Sequence, residues 1–372
     1  MKKFVFLVMA VFSIAACSNN DDDDNGNASP PVVSDQCTFN GDVTLTSQQE
    51  IDAFAAHNYC QINGNLFIGT PNGANNITSL KGLETIVNIK DALVIRSNPF
   101  LVNLNGLAHL KHIGGSLSLL DNPLLTSLEG INELKTVDYD IFISNTGLHN
   151  LTGLEKITTT MNVYIGGCVA LQSLQGLENL TTLSASISLE NNPALLSLSG
   201  LNSLTRASDF SIINCTALTA LKMLPSVKQL TLINTGITSF QSIENNPEIP
   251  IVQLHDNQHL VSLNGMQNIA SLNDLQLYRN NAIESLNGLN PNITTLYLTL
   301  QDNSSLASLS GLENVTNFTG LEIIGNTSLK NFCALQTAIS NNGINVENIV
   351  LFYFNYYNPS SYDFIAGNCS VE

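Results

Sequence analysis

The stretch "GSLSLLDNPLLTSLEGINEL", residues 115–134, decides the fold. It reads as a short alternating run, an asparagine, spaced leucines and a glycine. Similar phrases recur along the chain: "SLKGLETI", "SLEGINELKTV", "NLTGLEKI", "SLQGLENL", "SLSGLNSL", "SLNGMQNI", "SLSGLENV". The marker glycine stands at 82, 106, 130, 153, 176, 200, 265, 288 and 311, in steps of 24, 24, 23, 23 and 24, then 65, then 23 and 23. Two degenerate turns with Met223 and Ser242 at the marker fill the gap, and Ala334 marks a last one. Eleven steps over 252 residues give a period of about 23. A fixed period of this size is the signature of a stacked repeat.

Each period opens with two apolar residues flanking a third, as in Leu117/Leu119, Ile141/Ile143, Val163/Ile165, Ile187/Leu189, Leu275/Leu277 and Leu298/Leu300. That alternation predicts a short strand with those residues inward and their neighbours outward. No 3.6-residue apolar period survives twenty residues of the repeat. One such unit cannot bury an apolar face alone, but stacked units form one continuous core and one long parallel sheet. The predicted fold is a β-rich solenoid, a right-handed parallel β-helix or leucine-rich-repeat-like stack of about a dozen coils, on the order of 55–60 Å long at ~4.8 Å per strand.

An asparagine follows the strand at Asn98, Asn122, Asn145, Asn192, Asn234, Asn257, Asn280, Asn303 and Asn326, with Cys168 and Cys215 at the same place in two coils. An inward Asn at a tight bend pairs backbone groups that would otherwise be buried unsatisfied, so these eleven positions are read as a structural ladder. The two cysteines have no histidine at a neighbouring repeat position and stand two coils apart, beyond disulfide reach. They read as small buried substitutes rather than nucleophiles or a cystine.

The Asn-or-Cys alternation matches the leucine-rich-repeat consensus. The strand and glycine phrases more closely resemble the receptor L domain, the ligand-binding solenoid of the insulin and epidermal growth factor receptor families. The resemblance covers about residues 60–335. The phrase "GDVTLTSQQEIDAFAAHNYCQINGNLFI" resembles the leader of bacterial lipoproteins that carry such repeats. The resemblance implies a binding scaffold and names no ligand.

The N-terminus begins Met-Lys-Lys and runs apolar from Phe4 to Ile14. Eleven residues fall short of the ~20 that span a bilayer and fit a secretory signal. Ile14-Ala15-Ala16-Cys17 resembles the bacterial lipobox, which implies lipidation of Cys17. Asp21, Asp23, Asn25 and Gly26 match half an EF-hand loop, but its twelfth position is Val32, after Pro30 and Pro31. The tract therefore reads as a tether poor in residues to bury. It also resembles the acidic export tract of some Gram-negative surface lipoproteins. The expected organisation is a signal at 1–16, lipidated cysteine and tether at 17–36, an N-terminal cap at 37–64, the solenoid at 65–335 and a C-terminal cap at 336–372. In the first cap Ser47-x-x-Glu50 predicts a capping box opening a helix that buries Ile51, Phe54 and Ala55. Cys37–Cys60 and Cys333–Cys369 are the expected disulfides across the two caps, as suits an exported chain. "NIVLFYF", residues 348–354, is the expected strand of the second cap.

The net charge is −17, and −19 once Lys2 and Lys3 leave with the signal. This excludes nucleic acid and anionic membrane surfaces as main partners, since both need clustered basic residues. The membrane is reached through the lipid anchor only, and the expected location is the outer membrane, facing out of the cell. No G-x-S-x-G, H-E-x-x-H or phosphate-binding loop occurs. His255 and His259 do not share a helix face, so no metal and no cofactor is expected. Threading the outward strand positions puts Asp140, Glu190, Asp209, Asp274 and Glu322 on the sheet, with no two in one column on adjacent coils. Glycosidase chemistry needs two carboxylates ~5–10 Å apart, so an enzyme is not expected. The triplets at Asn150 and Asn179 read as by-products of an Asn/Ser/Thr-rich repeat.

Two outward clusters suit recognition. One is Val94, Leu120, Phe142 and Tyr164; the other is Gln253, His255, Gln276, Tyr278 and Tyr297. Aromatic anchors on a repeat face suit a protein or glycan ligand. The expectation is a non-catalytic surface lipoprotein that holds such a ligand. The alternatives are an envelope spacer without a specific ligand and, further off, a β-helix enzyme that degrades polysaccharide. The sequence leaves the oligomeric state open.

Overall fold

The alternating run of each period becomes one strand of a fourteen-stranded parallel sheet, hydrogen-bonded in chain order from Val43–Leu45 to Val350–Tyr353. The computed structural model describes residues 37–71, 75–221, 224–241, 243, 245, 247–341, 344 and 350–372. The signal, Cys17, the aspartate tract, the markers Met223 and Ser242, and residues 348–349 of the apolar C-terminal run lie outside them. The protein is a parallel β-solenoid of about 12 turns, its coils about 23 residues apart.

Register follows the apolar pattern. Leu117, Ile141, Val163, Ile187, Phe210 and Leu230 pair in succession, and all are buried. The rest of each coil adds further inward residues. Between residues 117 and 137 a single coil buries Leu117, Leu119, Leu125, Leu128, Ile131, Leu134 and Val137, none more than 1% exposed. A second wall of shorter pairings runs through Thr38–Asn40, Gln61–Asn63, Asn88–Ile89, His112–Ile113 and Thr136–Val137. It continues in Thr159–Thr160 and Thr182–Leu183, then in single bridges such as Thr182 to Arg206 and Arg206 to Ser226.

The glycine phrase lets these coils stack closely. Gly265 has φ +105°, and a Cβ there would lie 1.9 Å from the Phe240 carbonyl oxygen of the coil before. Its N–H donates to Gln267 Oε1 at 2.7 Å, and Gly153, Gly176 and Gly311 donate likewise to the Glu two residues on. The recurring G-L-E is therefore a small cap within each coil.

The ladder carries the bend after each strand. Asn280 Oδ1 accepts from Asn257 N at 3.1 Å, and its Nδ2 donates to Leu254 O in the same preceding coil at 2.7 Å. Asn122, Asn192, Asn257, Asn303 and Asn326 bond the same way, and Asn355 continues the row. Asn98 donates to Ile68 O at 3.1 Å. Cys215 replaces the amide with its thiol, which donates to Leu189 O at 3.7 Å. Cys168 N donates to Asn192 Oδ1 at 2.9 Å.

Two expected ladder residues are misplaced by one. Asn145 and Asn234 are exposed, and the buried places belong to Thr146 and Thr235. The residue before the ladder takes a left-handed conformation in coil after coil: Ser97, Asp121, Asn145, Asn191, Asn214, Asn234, Asp256, Arg279 and Asp302 all have φ between +51° and +58°. Asn tolerates that region better than most residues, so an Asn can serve at either place. Asn145 Nδ2 donates to Asp121 Oδ1 and Asn234 Nδ2 to Asn214 Oδ1, both at 2.8 Å, as an outer row beside the buried one.

The caps close the core. Ser47 opens the helix Gln48–Ala55 by accepting from Glu50 N at 3.3 Å. Ile51 is fully buried there, while Phe54 and Ala55 are half-buried. The reciprocal half of the expected box is displaced by one residue. Glu50 Oε2 accepts from Thr46 N at 2.5 Å and Thr46 Oγ1 at 2.8 Å, bonds that hold its carboxyl below the usual range. Cys37–Cys60 and Cys333–Cys369 are disulfides with Cα separations of 5.2 and 4.8 Å. At the far end the last strand, Val350–Tyr353, precedes a helix, Ser361–Ile365, that has a complete Ser360/Asp363 capping box. Phe332 and Phe364 fill the cap, while Tyr353 and Phe354 stay exposed.

Replacing Asn280 with Ala strips partners from two backbone groups, the Leu254 carbonyl and the Asn257 N–H. Urea unfolding should show a loss of about 2–4 kcal/mol, against no more than ~0.5 kcal/mol for the exposed Asn264→Ala.

Candidate functional site

Strand alternation leaves one side of the long sheet outward, and pairing sorts its residues into three columns. The central column runs Phe67, Val94, Ser118, Phe142, Tyr164, Ser188, Ser211, Thr231, Gln253, Gln276, Thr299, Glu322. Leu120 does not join Val94, Phe142 and Tyr164 there. It sits in the next column, between Arg96 and Ser144, two residues further along its strand. Ser118 takes the central place instead.

Phe142 and Tyr164 stack with ring centroids 4.3 Å apart and planes 17° from parallel. Such offset contacts add ~0.5–1.5 kcal/mol beyond the area they bury. Tyr164 lies across its own strand, because residue 166 is glycine. A Cβ on Gly166 would sit 2.5 Å from the Tyr164 hydroxyl. Burial, then the neighbouring Glu190 carboxylate, pushes the Tyr164 phenol up from its ordinary value.

The second cluster spreads over all three columns. Gln253 and Gln276 are central, and His255 and Tyr278 share a flanking column with ring centroids 4.6 Å apart. Tyr297 stands on the opposite flank beside Asp274. Its ring covers Gly320, and its hydroxyl reaches Glu322 Oε1 at 3.4 Å. His255 Nε2 is buried without a hydrogen-bond partner, and burial lowers its affinity for a proton.

A glutamine ladder had escaped the sequence reading. Gln229 donates to Gln253 at 2.8 Å, Gln253 to Gln276 at 3.1 Å, and Gln276 to both oxygens of Asp274 at 3.1 Å. These amides are spent on one another and on Asp274, so they brace the sheet. The signal for the ladder was available, since Gln229, Gln253 and Gln276 recur at near-repeat spacing.

The acids do not assemble. Glu190 pairs with Gly166 and Ile213, while Asp209 accepts from Ser186 Oγ at 3.1 Å and pairs with Gln229. Asp140 pairs with Asn162, Asp274 with Ile251 and Tyr297, and Glu322 with Thr299. Among the described residues no three of His, Cys, Asp and Glu converge as metal ligands. His255 is on the sheet, and His259 is exposed in the turn beyond it. No helix among the described residues is long and apolar enough to cross a membrane.

Cys168 and Cys215 are fully buried beneath the sheet. Burial raises both thiols, Cys215 to about 11. A protonated, enclosed thiol is a poor nucleophile. No family model, curated protein or solved structure matches the chain.

Cys168 and Cys215 should resist a thiol-directed disulfide reagent in the native protein at pH 8 and react together in urea. Labelling of either in the folded state on the time scale of a free thiol would contradict their enclosure.

Proposed function

We propose that the chain is a non-catalytic binding protein of the cell surface, whose outward sheet face holds a protein or glycan ligand. The observation that carries this reading is the pair of aromatic sites, Phe142 stacked on Tyr164 and His255 against Tyr278, on one rigid face. Rings at the centre of a face supply large contact area at little conformational cost. The stacked coils fix their spacing before any ligand arrives, which lowers the ordering cost of binding. No two of the five outward acids are register partners, which supports holding over turnover. The lipobox-like Ile14–Cys17 phrase and the acidic tract after it support an outer-membrane lipoprotein displayed outward.

Cells displaying the full chain should lose adhesion on Phe142→Ser with Tyr164→Ser, or on Tyr278→Ser with Tyr297→Ser, by about tenfold or more for whichever site binds. Undiminished adhesion in both double variants would remove the face from consideration. Cys17→Ala should shift the protein from the membrane fraction to the soluble one. Retention in the membrane fraction would refute the anchor.

A further inference from the structure

The arm of the solenoid that leads to its second wall is cut short in one coil. Ladder positions step by 24 from Asn98 to Asn122 and by 23 from Asn192 to Cys215, but by 20 from Cys215 to Thr235. Around that coil the wall runs through the single bridges Arg206 to Ser226 and Glu248 to Ser271, joined by Val227 N donating to Glu248 O at 2.9 Å. The inward residue there is also small. Ala207 stands where neighbouring coils carry Leu183 and Val227. A short coil and a missing side chain together leave a groove of about 250 Å³, lined by Arg206, Lys228, Glu248, Ser208 and Ser271 over an apolar floor. It is separate from the outward face of the long sheet.

The groove has an unusual charge for this molecule. From residue 157 to 278 the only lysines and arginines in the chain are Arg206, Lys222 and Lys228, and two of them line it. With Glu248 the balance is two positive charges against one negative, in a chain of net −17. Such a site suits a monoanion, because a dianion would leave it net negative. The hydroxyls of Ser208 and Ser271 and the Glu248 carboxylate offer both donors and acceptors, as a polyol requires. Peptide main chain is poorly served: Ala207 N donates to Ser226 O, Val227 N to Glu248 O and Lys228 N to Ser208 O, so the wall's own amides are already paired. At about 250 Å³ the groove is smaller than the ~300–1,000 Å³ of whole-ligand pockets. It takes one charged ring of a longer chain.

We propose that this groove binds the carboxylate of an acidic oligosaccharide, a uronic-acid unit, with Arg206 gripping the carboxylate as a planar fork. Lys228 adds charge, and the serines and Glu248 meet the sugar hydroxyls.

Calorimetric titration of the folded chain with trisaccharides of galacturonic and of guluronic acid tests this, with the methyl-esterified galacturonate, inorganic phosphate and hexaglutamate as comparison arms. At least one uronate should bind, and esterification should weaken binding at least tenfold. Arg206→Gln with Lys228→Gln should weaken it at least tenfold without moving Tm, and Ala207→Leu should abolish it by filling the floor. Phe142→Ser with Tyr164→Ser should leave it unchanged, which separates this groove from the sheet face. Absence of binding to both uronates would overturn the proposal. So would equal binding of the ester, tighter binding of phosphate or hexaglutamate, or indifference to the double charge removal.

Discussion

The bend after each sheet strand turns backbone N–H and C=O groups into an apolar core. Left unpaired, each would cost ~1–3 kcal/mol. The buried ladder removes that cost wherever it carries asparagine, since the amide accepts from the coil before it and donates back to that coil's strand. A ladder residue is thus satisfied only when its neighbour is in register, which ties each coil to the next and makes the stack behave as one body. The G-L-E caps and the close glycine contacts work within the spacing that the ladder sets.

The same constraint explains the outward face. With register fixed from below, side chains above fall into columns whether or not they interact. Phe142 meets Tyr164, and His255 meets Tyr278, because inward alternation puts them side by side. The glutamine row exploits the same spacing to brace itself. Where the coil shortens, between Cys215 and Thr235, the pairing of Asp209–Ile213 with Gln229–Ile233 and the outer Asn234-to-Asn214 bond hold the long sheet together. The missing residues are taken from the arm between ladder and second wall, which spans 14 residues from Asn192 to Arg206 but 11 from Cys215 to Ser226.

Much of this was legible in the chain. The solenoid, the inward apolar rows and both disulfides followed from period, alternation and cysteine placement, and the helix at Ser47 from the Ser47-x-x-Glu50 phrase. The errors fell where one residue type serves two adjacent roles. Asn145 and Asn234 suit a left-handed turn as well as a buried rung, and only the neighbouring coil selects between them. Glu50 had two backbone groups within reach and bonded to Thr46 rather than to Ser47. Leu120 was outward as expected but in another column, because grouping it with Phe142 needs the register as well as the face.

The sequence by itself determined that the chain stacks and which apolar side chains of the strands point inward, because these depend on local periodicity. Only the tertiary structure decided which outward residues touch, which asparagine enters the core and where a groove opens. Those outcomes depend on how coils of unequal length align. A step of 20 residues beside one of 23 changes the cross-section of the stack without altering the pattern within either coil.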